Sequence, residues 1–180
     1  MLGFLRIGKS NVGAEEIVTM SAEETTAAGR ALAARLAAPA LVLLKGDLGA
    51  GKTTLAKGII SGLGAASEEE VTSPTFTLVH VFERGGNRKP ANQGHAEANA
   101  TVTAGVKVYH VDLYRIENAH DLETLALEDV LGETEPAIVI VEWSERLSFR
   151  SNWPVVRIEL DHLGGDQRRI RITGPDAFAA

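Results

Sequence analysis

The chain has 180 residues, 44% of them hydrophobic and 23% charged, which suits one soluble domain with a full core of its own. Its formal net charge is −6 and it has no cysteine, which excludes disulfides and thiolate metal sites and argues against a protein that grips nucleic acid unaided. No apolar run approaches the roughly 20 residues that cross a bilayer, and none precedes Glu15 as a signal peptide would, so a cytoplasmic protein with no membrane partner is expected.

Residues 1–13 carry no clear period and read as a ragged N-terminus. Ser21 followed by Glu24 fits a capping box, and the Ala- and Leu-rich segment from Ala22 to Leu36 reads as a helix closed off before Pro39. "ALVLL" (40–44) is continuously apolar, the mark of a strand buried on both faces. A glycine loop follows, and Thr53 to Leu63 reads as a helix ending at Gly62 or Gly64.

"FTLVHVFE" (76–83) and "VKVYHVDLYR" (106–115) look like strands. The polar stretch 84–105 between them is nearly empty of large apolar groups, which predicts a long mobile loop. The segment 120–131 places Leu122, Leu125, Leu127 and Leu131 close to helical spacing, and "AIVIVEW" (137–143) is a second fully buried strand. "VVRIEL" (155–160) and "RRIRIT" (168–173) alternate apolar and charged residues around Gly164 and Gly165, a hairpin exposed on one face. Residues 174–180 read as a tail. The sum is one α/β domain of the P-loop NTPase type over 1–180, with a mixed parallel and antiparallel central sheet flanked by helices.

Gly46 to Thr53 matches the phosphate-cradling pattern G-x-x-x-x-G-K-[ST] without a mismatch, and it lies between a buried strand and a helix, as that loop must. The glycines Gly46, Gly49 and Gly51, with Leu48 and Ala50 between them, let successive backbone N–H groups converge on a phosphate, and the helix that follows, with Thr54 in its first turn, adds the positive end of its dipole. Lys52 is expected to neutralise phosphate charge and the Thr53 hydroxyl to ligate Mg²⁺. A magnesium site needs a further acidic oxygen, and two strands end in a carboxylate, Glu142 and Asp112. Glu142 follows the more buried strand and is the expected metal-side acid. Asp112 is then a supporting, metal-side or water-orienting group. In "TSPTFTLV" (72–79), Ser73 and Thr75 offer hydroxyls that could sense a γ-phosphate, although an ordinary turn has the same composition. The five histidines have no metal-ligand spacing, and the absence of an N-K-x-D guanine reader points to ATP rather than GTP.

"GDLGAGKTTL" (46–55), "SPTFTLV" (73–79), "HVDLYR" (110–115) and "VEWSE" (141–145), taken in order, resemble the bacterial TsaE (YjeE) family over roughly residues 20–173. The resemblance implies a small Mg²⁺-dependent ATPase that works with TsaB and TsaD, the pair that transfers threonylcarbamoyl to adenosine 37 of tRNAs reading ANN codons. It implies that tRNA is reached only through those partners. Carried onto this chain, Leu48 to Thr53 wrap the phosphates, Thr53 and Glu142 hold Mg²⁺, Ser73 to Thr75 form a switch and Asp112 is a catalytically important acid. A nucleotide contact in the C-terminal hairpin falls on Arg168, with Arg169 beside it, and a further one near Ser21 to Thr25. Two features depart from the pattern: 84–105 is longer than the usual connection, and Ser144 stands where proline is common.

Two other readings stay open on the residues alone. One is a small P-loop kinase acting on a metabolite, for which 84–105, with Arg84 and Arg88, would be the lid. The other is a nucleotide-gated binding module that hydrolyses little.

Overall fold

The computed structural model describes residues 5–10, 14–75, 77–84, 105–117, 121, 135–147 and 151–175. In chain order the elements are β1 (Leu5–Ser10), β2 (Ala14–Thr19), α1 (Ala22–Ala33), β3 (Ala40–Lys45), α2 (Lys52–Gly62), β4 (Val79–Glu83), β5 (Lys107–Asp112), β6 (Ile138–Glu142), a 3₁₀ turn (Ser144–Arg146), β7 (Val155–Gly164) and β8 (Gln167–Thr173). The expected helix over 120–131, the long loop over 84–105 and the end of the tail lie outside the described residues apart from their edges.

The eight strands form one sheet in the order β1-β2-β8-β7-β3-β6-β5-β4. Its centre, β7-β3-β6-β5, is parallel, and both flanks are antiparallel. The apolar runs explain the parallel centre. In β3, Val42 and Leu44 face one core while Leu41 and Leu43 face the other, so the strand has no polar side to offer water. The first core lies under α1 and α2, where Leu32, Leu55, Ile59 and Ile60 meet Ile140, Ile158 and Ile170. The second gathers Leu41, Tyr109, Val111, Val139 and Val141, with Trp143 and Trp153 packed against it.

α1 starts as its sequence dictates. Ser21 is extended (φ −153°, ψ 168°), and its hydroxyl accepts a 3.1 Å hydrogen bond from the Glu24 N–H. The Glu24 carboxylate reaches back to the N–H of Met20, one residue before the cap, at 2.8 Å. The helix ends at Ala33, three residues earlier than the apolar spacing suggests.

The expectation of a ragged N-terminus is corrected for Leu5–Ser10, which pair with β2 as an edge strand while β2 pairs in turn with β8; the rest of 1–13 lies outside the described residues. Neither strand carries a strong alternation of its own. β2 is held by its place beside the hairpin, where Ile17 stands opposite Ile170.

The parallel centre decides where chemistry happens. β3, β5 and β6 all end on the same edge of the sheet, with Leu44 beside Glu142 and Glu142 beside Asp112 in register. Ligands of open α/β sheets bind outside such carboxyl ends.

Candidate nucleotide-binding site

The loop leaving β3 has left-handed backbone at Gly46 (φ 153°), Gly49 (φ 79°) and Gly51 (φ 99°). Gly46 is also a close approach: a Cβ there would stand 2.4 Å from the Leu160 carbonyl oxygen. Gly51 caps α2 without a side-chain hydrogen bond, which leaves the first-turn N–H groups of that helix facing the loop.

Lys52 is the first residue of α2 and is buried. Its Nζ donates to Gly46 O at 2.7 Å and Asp47 O at 2.9 Å, and lies 3.7 Å from the centroid of the Trp143 ring. Burial pulls the Lys52 pKa below its ordinary value, against the opposing pull of Glu142, Glu145, Asp112 and Asp47. Trp143 adopts φ 57° directly after β6, a strained turn for a bulky residue that costs about 1–3 kcal/mol and lays the indole over the lysine.

The two strand-end acids have different surroundings. Glu142 accepts from Thr53 Oγ1 at 2.8 Å on Oε2, and its Oε1 is 2.8 Å from His110 Nε2. Asp112 Oδ2 lies 2.6 Å from both Ser73 Oγ and Thr75 Oγ1, while Oδ1 accepts from the Tyr114 N–H at 2.9 Å. Both acids are buried. Asp112 therefore anchors the Ser73–Thr75 loop, and Glu142 is tied to the phosphate-loop threonine.

These groups line one cleft of about 360 Å³. Of the residues singled out from sequence, Leu48, Gly49, Gly51, Lys52, Thr53, Thr54, Ser73, Thr75, Asp112, Glu142 and Arg168 line it. Gly46 and Ala50 do not. Gly46 is wedged against β7, and Ala50 is buried in the core under α2, so their part is to shape the backbone. Ala22 and Thr25 at the start of α1 line the cleft, in the region of the expected N-terminal contact. Arg169 instead faces Glu16 and Asp161, and Arg171 faces Glu159 and Asp161, on the charged face of the hairpin.

Sequence reasoning missed Trp143, Tyr114, Asp166 and His110 as parts of the site or its support. One signal was present for the last: His110 and Asp112 are two apart on a strand, hence on one face. The Trp143 and Asp166 positions depend on tight turns that no periodicity reports.

The donor set is compatible with Mg²⁺. Among the described residues no three His, Asp or Glu side chains form a closed metal cage. Thr53 and Glu142 together offer one hydroxyl and one carboxylate at the cleft, which suits an ion bound through one or two protein oxygens plus phosphate and water.

The family model for "Threonylcarbamoyl adenosine biosynthesis protein TsaE" matches residues 19–170. The chain belongs to the TsaE family. A TsaE protein of Nostoc sp. is 36% identical over 153 residues, covering 84% of this chain and 80% of its own length. One of Streptomyces coelicolor is 34% identical over 151 residues, with 81% and 87% covered. Both are named tRNA threonylcarbamoyladenosine biosynthesis proteins. Among solved structures, the crystal structure of Bacillus subtilus YdiB superposes with a TM-score of 0.59 at 26% identity, over 92% of this chain and 88% of that one. The P-loop NTPase-like fold and the TsaE assignment thus agree. The family match begins at Thr19, so β1 and nearly all of β2 precede it.

Proposed function

We propose that this TsaE-family protein is the Mg²⁺-dependent ATPase subunit of tRNA threonylcarbamoyladenosine (t6A37) synthesis, acting in the cytoplasm with TsaB and TsaD and meeting tRNA only through them. The observation that carries the reading is the convergence of Lys52, the Thr53–Glu142 pair and Asp112 on one cleft behind a glycine loop. The net charge of −6 supports leaving tRNA to partners.

The backbone N–H groups from Leu48 to Thr54 would bind the phosphates of ATP, with Lys52 exchanging its two loop carbonyls for phosphate oxygens. Thr53 and Glu142 would hold Mg²⁺, which when bound offsets the charge developing on the phosphates. Asp112 fixes the Ser73–Thr75 loop at the mouth of the cleft and would orient the attacking water there. Hydrolysis forms a bond from that water to the γ-phosphorus and breaks the β–γ bridge. Arg168 is the second cation of the cleft lining, and its Nη1 is held by the Gly165 and Gln167 carbonyls beside the loop. With no other cation lining the cleft among the described residues, turnover by the chain alone is expected to be slow, and TsaB and TsaD are expected to raise it.

The test is equilibrium binding of ATP and GTP, each with Mg²⁺ and with EDTA. Preference for ATP and tightening by Mg²⁺ are expected. Equal affinity for both nucleotides with no response to Mg²⁺ would remove the reading.

A further inference from the structure

His110 lies in β5, wholly buried, on the same face as Asp112. Its cross-strand neighbours are His80 on β4 and Ile140 on β6. The imidazole does more than fill space between them, because its Nε2 is aimed at Glu142 Oε1 at 2.8 Å. Glu142 is only 2% exposed and forms no direct salt bridge with a Lys or Arg among the described residues. Its carboxylate receives one hydrogen bond on each oxygen, from His110 on Oε1 and from Thr53 on Oε2. The second comes from a hydroxyl that belongs to the phosphate loop. The first comes from the rigid centre of the sheet.

We infer that His110 is a positioning residue for Glu142: its Nε2–H holds Oε1 and turns Oε2 toward Thr53 and the cleft. The inference rests on the proposed reading of Glu142 as the metal-side acid. Carboxylate Oε1 accepts, so Nε2 carries a proton; a proton on Nδ1 alone would leave that buried nitrogen's donor unpaired and a carboxylate oxygen facing a lone pair. Histidines and other groups that hold a metal-ligating side chain in place set its orientation, and losing one typically costs about 10–100-fold in metal affinity or activity.

The test uses the full chain and two variants. His110→Leu fills comparable space without a donor, and His110→Gln carries its amide N–H to a similar reach. Nucleotide affinity is measured with Mg²⁺ and with EDTA, beside thermal melting and the ¹⁵N spectrum of the His110 ring in the wild type and in Glu142→Gln. The Mg²⁺-dependent gain in affinity is expected to fall about 10–100-fold in His110→Leu and to survive in His110→Gln, while binding in EDTA stays unchanged in both. The wild-type spectrum is expected to show the proton on Nε2 and a resonance that moves in Glu142→Gln. An undiminished Mg²⁺ response in folded His110→Leu, equal loss in both variants, or an Nε2 without a proton would each overturn the inference. If His110→Leu does not fold, the glutamine variant and the spectrum decide. If wild-type binding ignores Mg²⁺, the metal reading of Glu142 fails, and the spectrum still decides whether His110 holds Glu142.

Discussion

Thr53 and Glu142, 89 residues apart in sequence, meet through a 2.8 Å hydrogen bond from Thr53 Oγ1 to Glu142 Oε2. Two features of the fold produce it. β3 and β6 are adjacent and parallel with Leu44 beside Glu142, and the loop after β3 returns over the strand end to start α2 at Lys52. The hydroxyl of the phosphate loop and a buried carboxylate thereby occupy one point of the cleft.

Glu142→Gln and Asp112→Asn keep shape and remove charge. Both variants are expected to bind ATP in EDTA as the wild type does, Glu142→Gln losing the Mg²⁺-dependent gain, while turnover in both falls about 10²-fold or more, the scale on which a positioned acid–base group contributes. Steady-state hydrolysis beside a binding titration checks this. Wild-type turnover in either variant would remove that acid from the proposed chemistry.

Lys52→Met preserves the buried stem and removes the charge. Loss of charge-assisted hydrogen bonds worth about 1.5–3 kcal/mol each predicts at least a tenfold loss of ATP affinity. A pH signature accompanies it. Burial lowers the Lys52 pKa below 10.5, so between the lowered value and 10.5 the unfolded chain holds more protons than the folded one. Folding stability therefore rises with pH across that window in the wild type and lacks this contribution in the variant. Urea denaturation at a series of alkaline pH values reads the difference. Parallel profiles would mean that Lys52 is not desolvated.

How far the sequence foretold this site follows from where each residue's signal resides. The phosphate loop, β3 and β6 were legible because a glycine motif and double-sided apolar runs are local. The strand-end acids were legible because they break those runs. β1 and β2 were not, since Ala14–Thr19 becomes a strand by pairing with β8, and Leu5–Ser10 by pairing with β2, rather than by alternation of their own. Trp143 over Lys52 was hidden for another reason: it depends on a φ of 57° that a tryptophan adopts only when its surroundings impose it. The contact from His110 to Glu142 needs the parallel β5–β6 register, which no single segment encodes.

The lysine–indole contact gives an optical prediction. ATP is expected to draw Lys52 Nζ away from the ring it faces at 3.7 Å, changing Trp143 emission. In a Trp153→Phe background the change belongs to Trp143 alone, and Lys52→Met should abolish it. An unchanged signal in Lys52→Met would assign it to some other movement.

α1 and α2 cross at bare glycines. A Cβ on Gly58 would stand 2.1 Å from Thr26 O, and one on Gly29 would stand 2.4 Å from Leu55 O. Both obstacles are backbone, so they cannot swing aside. Gly58→Ala is expected to destabilise the fold by about 3 kcal/mol from overpacking, more than the ~1 kcal/mol gained in helix propensity. Urea unfolding measures this, and a neutral or stabilised variant would contradict the close crossing that sets α2, and with it the loop, against the sheet.

The most direct test of the central claim is ATP hydrolysis with Mg²⁺ by this protein alone and then with TsaB and TsaD from the same source. The account predicts slow turnover alone, strong stimulation by the pair, and loss of that stimulation in Glu142→Gln. Turnover indifferent to TsaB and TsaD, appearing only when a metabolite acceptor is supplied, would contradict it and make the protein a kinase.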